Sequence, residues 1–290
     1  HLTLFLHYNI QNTTRNQIKK AIEEARVLVN GEAVKPNYKI KANDEIVINI
    51  LPPKNMSLLP EDIPLEILYE DKDIIVVNKP RGMVVHPAPG NYSGTLVNAL
   101  LYHSKSLSRI NSMRPGIVHR LDKDTSGVIV AAKNDYSHDN LSKQLKKRQV
   151  KKIYRAIVWG NILDNSAKII APIGRNPIKR TKMAVNTSNS RKAVSYFQVL
   201  ERFSDFTHVE VAIQTGRTHQ IRVHMKFIGH PVLGDPVYSK KKNPFKIKGQ
   251  VLHAYKLGFL HPANSRYMEF TAPIPDDFNS VLRILREREG

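Results

Sequence analysis

The sequence predicts an α+β protein in two parts, and three observations carry that prediction. Apolar residues recur at helical spacing in some segments and alternate at strand spacing in others. Pro52, Pro53, Pro60 and Pro64 interrupt all periodicity, so residues 51–64 read as a stiff linker between a unit over 1–50 and a larger one over 65–290. A chain of 290 residues also suits one large domain with a smaller companion.

In the first unit, Thr14 is placed to cap a helix whose Ile18, Ile22 and Ala25 form one stripe. Arg15, Lys19 and Lys20 lie off that stripe and give the helix a basic face. Val27-Leu28-Val29 runs into Asn30-Gly31, the strongest short hairpin signal. Ile46, Ile48 and Ile50 then alternate as a further strand after Asn43-Asp44. About fifty residues make a unit that is marginal alone.

The second unit opens with a buried strand over 74–77, which Asn78-Lys79-Pro80 ends. His86 fits a packed histidine better than a metal ligand, since no second His or carboxylate stands at metal-site spacing. Residues 95–101 are helical in pattern, and 103–114 form a polar, basic loop. Next comes His119-Arg120-Leu121-Asp122-Lys123-Asp124-Thr125-Ser126-Gly127, between the turn Arg114-Pro115-Gly116 and a β-branched run over 128–132. Its polar residues therefore sit on a loop that feeds a buried strand, where a rigid scaffold fixes geometry and the loop gives access. By residue type alone, Asp122 and Asp124 fit turn or cap positions at least as well as chemistry.

Asp135 or Ser137 can cap the following helix, with His138, Leu141 and Leu145 on one face and Lys143, Lys146, Lys147 and Arg148 on the other. Lys151-Lys152 extend this densest basic patch, although cations near a helix C-terminus are favourable without any ligand. Residues 152–159 read as a strand containing Tyr154, which by propensity alone is ordinary core filling. Residues 171–193 carry Arg175, Lys179, Arg180, Lys182, Arg191 and Lys192 among Gly, Pro, Asn and Ser, a basic loop that lies over a substrate or moves. Val209, Val211 and Ile213 alternate as a half-buried strand. A helix capped at Thr218 follows, because Ile221, Met225 and Ile228 recur at i, i+4 and i+7 and Gly229 stops it. Arg217 would stand at its positive end. A Lys-rich loop over 240–248 and a helix of mixed charge over 280–288 complete the chain.

Composition narrows the chemistry. Hydrophobic residues at 41% suffice for a core. With 45 Lys and Arg against 25 Asp and Glu, the formal charge of +20 calls for a polyanionic partner, because each neutralised phosphate releases counterions. No basic amphipathic helix or lipidation motif dominates, so nucleic acid is favoured over membrane. The absence of cysteine removes disulfides, thiolate catalysis and Cys-based zinc sites. No Walker loop or GxGxxG offers a nucleotide cradle, and no HExxH occurs. Neither cofactor nor metal is expected, and a cytoplasmic monomer is.

The central stretch, preceded by Arg114-Pro115-Gly116-Ile117-Val118, resembles the signature of the pseudouridine synthases of the RluA type. Three further segments are similar to motifs of that family: residues 79–87, Lys152-Ile153-Tyr154-Arg155-Ala156, and 217–224 with 229–236. The first unit resembles an S4 RNA-binding domain in its helix, its Arg26-Val27-Leu28-Val29-Asn30-Gly31 and its Asn43-Asp44-Glu45-Ile46-Val47-Ile48. It departs from the S4 pattern at His1-Leu2-Thr3, where Arg-Leu-Asp is common, and at Ala25, where Gly is usual. The S4-bearing RluD-type enzymes of large-subunit ribosomal RNA are the most similar members.

That resemblance implies an S4 domain followed by a catalytic domain with a mixed, mainly antiparallel sheet and a central cleft. It further implies Asp122 as the catalytic residue, Arg217 as its ionic partner, Tyr154 stacking on the target base, and Arg120 filling the stack vacated by the flipped nucleotide. His119, Arg15, Lys19, Lys20, Lys143 and Lys147 are the remaining expected RNA contacts. Ribosomal RNA is the expected substrate, with transfer RNA as the alternative. Two rival functions are weaker: a binding protein with a dead catalytic domain should lack Asp122, Tyr154 or Arg217, and a metal nuclease should space its histidines otherwise than His219 and His224.

Overall fold

A computed structural model describes residues 1–10, 15–49, 58–88, 90–179, 181–186 and 189–289. The chain divides into two compact units, His1–Ser57 and Leu58–Gly290.

The first unit opens with α1 (Leu2–Asn9), a helix that the sequence pattern does not announce, since only Leu2 and Leu6 mark its buried face. Helix α2 (Arg15–Glu23) buries Ile18 and Ile22 as its spacing requires, and Thr14 lies outside the described residues. Ala25 is not part of its stripe. It follows the helix at φ +53°, with Ala25 N–H donating to Ile22 O at 3.0 Å and Arg26 N–H to Ala21 O at 2.9 Å. That double bond pattern is a Schellman cap, whose left-handed position normally takes Gly. Strand β1 (Val27–Val29) then turns through Asn30 and Gly31, both at positive φ, into β2 (Glu32–Ala33), and β3 (Ile46–Ile48) pairs along its other edge. Ile50 also lies outside the described residues.

In the second unit the order is β4 (Glu66–Glu70), β5 (Ile74–Lys79), α3 (Leu96–His103), β6 (Ser126–Ala132), α4 (Asp135–Lys146), β7 (Lys151–Trp159) and β8 (Ser166–Ile170). There follow β9 (Ile173–Arg175), β10 (Met183–Val185), β11 (Ser190–Arg191), β12 (Val194–Arg202), β13 (Phe206–Ile213), α5 (Gln220–Phe227), β14 (Leu252–Leu260), β15 (Tyr267–Thr271) and α6 (Asp276–Glu287). One sheet runs β4-β5-β6-β14-β7-β13-β12-β8, with β15 also on β14. Among the described residues only β14 and β6 pair in parallel, so the sheet is mixed and mainly antiparallel. Alternate residues of β5 and β6 enter separate cores, Ile75, Val77, Ile129 and Ala131 on one face and Ile74, Val76, Val128 and Val130 on the other. Gly127 permits the parallel pairing, since a Cβ there would stand 2.2 Å from Ala254 O.

Several details differ from the sequence expectation. Residues 58–64 do not hang free as linker: Leu58 packs on the larger core, Glu61 N–H donates to Asn98 O, and Asn98 Nδ2 donates to Leu59 O. Asn134, rather than Asp135 or Ser137, caps α4, its side chain accepting from Ser137 N–H. The basic stretch 171–193 contains the small sheet β10-β9-β11, anchored because Ile173 and Ala193 pack with Val223 and Tyr238. Helix α5 starts at Gln220, not after Thr218, because His219 takes a left-handed conformation, φ +56°, just before it.

Candidate active site

The loop over 119–125 is held from below by its backbone. Fully buried Lys79, at the end of β5, donates from Nζ to Pro80 O, Met83 O and Lys123 O at 2.8, 2.8 and 3.2 Å. Burial pushes its pKa down to about 7, while three carbonyls are matched by the three donors that only the ammonium offers. Arg81 donates through Nη1 to Asp124 O at 2.8 Å and to Gln250 O, and through Nε to Asp277 at 2.7 Å. Gln250 Nε2 reaches Thr125 Oγ1 at 3.1 Å. Two cations from the 79–87 segment thus fix the carbonyls beside Asp122 and leave its side chain free to face outward.

The Asp122 carboxylate enters a cavity of about 530 Å³ that is also lined by Arg120, Tyr154, Arg217, His219 and Arg222. Arg222 Nη1 donates to Asp122 Oδ2 at 2.9 Å. The same guanidinium grips Asp235 through Nε at 2.7 Å and Nη2 at 2.9 Å, a bidentate pair of high directional specificity. Asp235 is in turn fixed by the N–H groups of Val237 and Tyr238 at 2.8 and 2.9 Å. Burial alone would raise the Asp235 carboxyl, but Arg222 and these two N–H groups outweigh it and hold the pKa below the usual range. Burial likewise opposes the Arg222 charge, and the two carboxylates outweigh it and raise its pKa above the ordinary value. Arg222 therefore presents Asp122 with a permanent positive charge in a fixed direction.

His219 stands with Nε2 3.9 Å from Asp122 Oδ1 and Nδ1 2.8 Å from Tyr238 Oη. Burial lowers its pKa, with the Asp122 charge pulling the other way. Tyr154, buried on β7, has its phenol pushed up by burial and further by Asp122. It remains a phenol at neutral pH.

The expected partnership of Arg217 with Asp122 is corrected: Arg222 fills that role. Arg217 precedes α5 in a turn fixed by Gln220, whose Oε1 accepts from Arg217 N–H at 3.0 Å and Thr215 Oγ1 at 2.7 Å. Its side chain donates from Nε to Lys192 O at 3.1 Å and lines another part of the cavity. His119 is corrected in part. It lines the cavity, but Nε2 is spent accepting Val130 N–H at 3.1 Å, and burial pushes its pKa down to about 3, so it offers RNA no cation.

Arg120 is exposed and lines the cavity. Lys143 and Lys147 are exposed outside the lining, and Lys143 pairs with Asp139 at 2.6 Å; their neighbours Lys146 and Arg148 line the cavity instead. Arg15, Lys19 and Lys20 are exposed in the first unit, the two lysines 3.6 and 3.5 Å from Glu23 and Glu24. Asp71, Asp73 and His261 form the one cluster with metal-ligand spacing among the described residues, and it lies outside the cavity lining.

Sequence reading missed Arg222, His219, Asp235, Lys79 and Lys152 as site residues. A faint signal existed for Arg222 and Asp235: each interrupts an otherwise apolar or turn-forming run with a charge that has no solvent-facing reason to be there.

Residues 73–227 match the family described as RNA pseudouridylate synthase, and residues 12–46 match the S4 domain. An uncharacterized RNA pseudouridine synthase, YlyB, of Bacillus subtilis is 50% identical over 98% of this chain and 93% of its own length. The ribosomal large subunit pseudouridine synthase D of Neisseria meningitidis serogroup A is 44% identical over 96% of this chain and 76% of its own length. Its namesake from Escherichia coli O6:H1 is 41% identical over 94% and 86%. Among solved structures, human RNA pseudouridylate synthase domain containing 1 superposes with a TM-score of 0.61 at 25% identity, covering 81% of this chain and 98% of that one. With motif, fold and cavity in agreement, the chain belongs to the RNA pseudouridylate synthase family and carries an S4 domain ahead of its catalytic unit.

Proposed function

We propose that this enzyme converts uridines of large-subunit ribosomal RNA to pseudouridine, with Asp122 acting on the extruded nucleoside. The observation that carries the assignment is a carboxylate facing the cavity, hydrogen-bonded at 2.9 Å to a guanidinium that is itself locked by Asp235. The choice of RNA rests on the two relatives named as ribosomal large-subunit synthases.

A uridine inside a helix must first be swung out, at a cost of a few kcal/mol, roughly the loss of its stacking and pairing. Arg120 is placed to fill the gap, since guanidinium planes stack on bases. The reaction breaks the bond from N1 to C1′ and forms one from C5 to C1′; C5 loses a proton and N1 gains one, so no atom is added. An oriented carboxylate can attack the sugar carbon or take a proton from the sugar. Tyr154, held as the phenol, supplies a ring face to the detached uracil while it turns.

Replacing Asp122 by Asn keeps the shape and removes the charge. Pseudouridine formation should fall by a factor on the order of a thousand or more, while RNA affinity stays within about threefold. Turnover retained by D122N would refute the catalytic role. Mapping pseudouridines in total RNA of a strain lacking the protein tests the substrate: unmodified positions confined to transfer RNA would overturn the ribosomal assignment.

A further inference from the structure

Lys152 plays no part in the chemistry described above, yet its surroundings are unusual. It lies two residues before Tyr154 on β7, so the two side chains leave the strand on the same face, and both line the cavity. Among the described residues its ammonium has no hydrogen bond and no carboxylate partner, although burial has stripped enough water to push its pKa down to about 8. Lys152 is half-buried, and an ammonium that has lost part of its water without gaining a partner is held at a cost that a ligand anion would offset.

Its neighbours cannot compensate it. The cavity lining holds six Lys or Arg and a single carboxylate, Asp122, which Arg222 already engages. On the Lys152 side stand Gly216, where a Cβ would lie 3.6 Å from Nζ, then Arg217 and Arg148. Burial, then Arg191 and Arg148, disfavour the charge of Arg217. Arg217 donates from Nε to Lys192 O, and Arg148 follows α4 at φ +60°. Gly216 keeps the approach to Lys152 open. A substrate that brings a negative charge would relieve all three cations at once.

We infer that Lys152, with Arg148 and Arg217, forms a seat for a phosphate next to the extruded uridine, separate from the Asp122–Arg222 pair. The inference rests on the proposed reading of this cavity as the uridine site. It gives the cavity two functionally distinct walls: one acts on the nucleoside, and one grips its phosphodiester and so fixes how far the base can enter.

The test uses the full-length chain and an RNA fragment in which it makes pseudouridine. Dissociation constants and single-turnover rates are measured for wild type, K152M and K152R, on natural RNA and on RNA with an uncharged methylphosphonate either 5′ or 3′ of the target uridine. One of the two methylphosphonates should weaken wild-type binding about tenfold. K152M should weaken binding of natural RNA by a similar factor and add less than about twofold on the neutralised RNA, whereas K152R should come back to within about threefold of wild type. Undiminished wild-type affinity for both neutralised RNAs would overturn the inference, as would independent, multiplying effects of K152M and methylphosphonate. The wild-type arm needs no variant to fold. D122N is assayed in parallel: retained turnover there would defeat the catalytic assignment while the binding arms still decide on the phosphate seat.

Discussion

At the scale of single residues, the site turns on which arginine faces Asp122. Arg222 bridges two carboxylates and is almost wholly buried, whereas the Arg217 side chain, among the described residues, hydrogen-bonds only to the backbone carbonyl of Lys192. R222M should therefore do two things together. It leaves Asp235 buried without its partner, at a cost of about 3–5 kcal/mol, read as a lowered unfolding midpoint in urea. It also removes the fixed charge beside Asp122 and should abolish turnover in whatever fraction stays folded. R217M should leave stability unchanged and the single-turnover rate at saturating RNA within about threefold, with the loss falling on RNA affinity. The reverse ranking would restore Arg217 to the role the sequence assigned it. Asp122 itself was legible because it lies in a long contiguous signature. Its partner was not, because two arginines five residues apart compete for the pairing and only the backbone decides between them. The residue types do not signal the left-handed turn at His219, after which α5 starts at Gln220 and carries Arg222.

Elements that advertise themselves by period were legible, and those that depend on tertiary packing were not. The hairpin at Asn30-Gly31, the buried strand β5 and the amphipathic α4 follow from residue type and spacing. Helix α1 is not announced because its apolar residues Leu2, Leu4, Phe5 and Leu6 run together instead of recurring on one face, and α2 and β1 cover Leu2 and Leu6. The small sheet over 171–193 hides behind basic and turn-forming residues, since two-residue and three-residue strands are held by Tyr238 and Val223 rather than by their own pattern. Ala25 shows the opposite case, a local sequence anomaly with a structural cost. At φ +53° an L side chain crowds its own backbone, and the Schellman bonds keep it there. A25G should stabilise the end of α2 by about 0.5–1 kcal/mol after allowing for the greater flexibility of Gly in the unfolded chain. Hydrogen exchange of the α2 and β1 amides in the full-length protein reads this directly: protection should rise several-fold, and unchanged or faster exchange would show that the cap is not strained.

Over the whole molecule, the excess of positive charge acts through where the acids are spent. Glu70 is engaged by Lys133 and His103, Glu269 by Lys151 and Lys256, Asp277 by Arg81 and Asp235 by Arg222. With the acids tied up in such pairs, the surplus of a +20 chain remains unopposed at the cavity, where five cations besides Arg222 line the wall. Capture of RNA should then be governed by counterion release and the chemical step by buried, directed contacts that salt cannot reach. If six or more phosphates are contacted, raising monovalent salt from about 50 to 200 mM should weaken RNA binding about a thousandfold or more. The single-turnover rate at saturating RNA should change by less than about twofold over the same range, because the Asp122–Arg222 pair is largely shielded from mobile ions. A rate that fell in step with affinity would mean that the distance between Asp122 and the sugar is set by surface electrostatics rather than by the buried clamp of Lys79, Arg81 and Arg222.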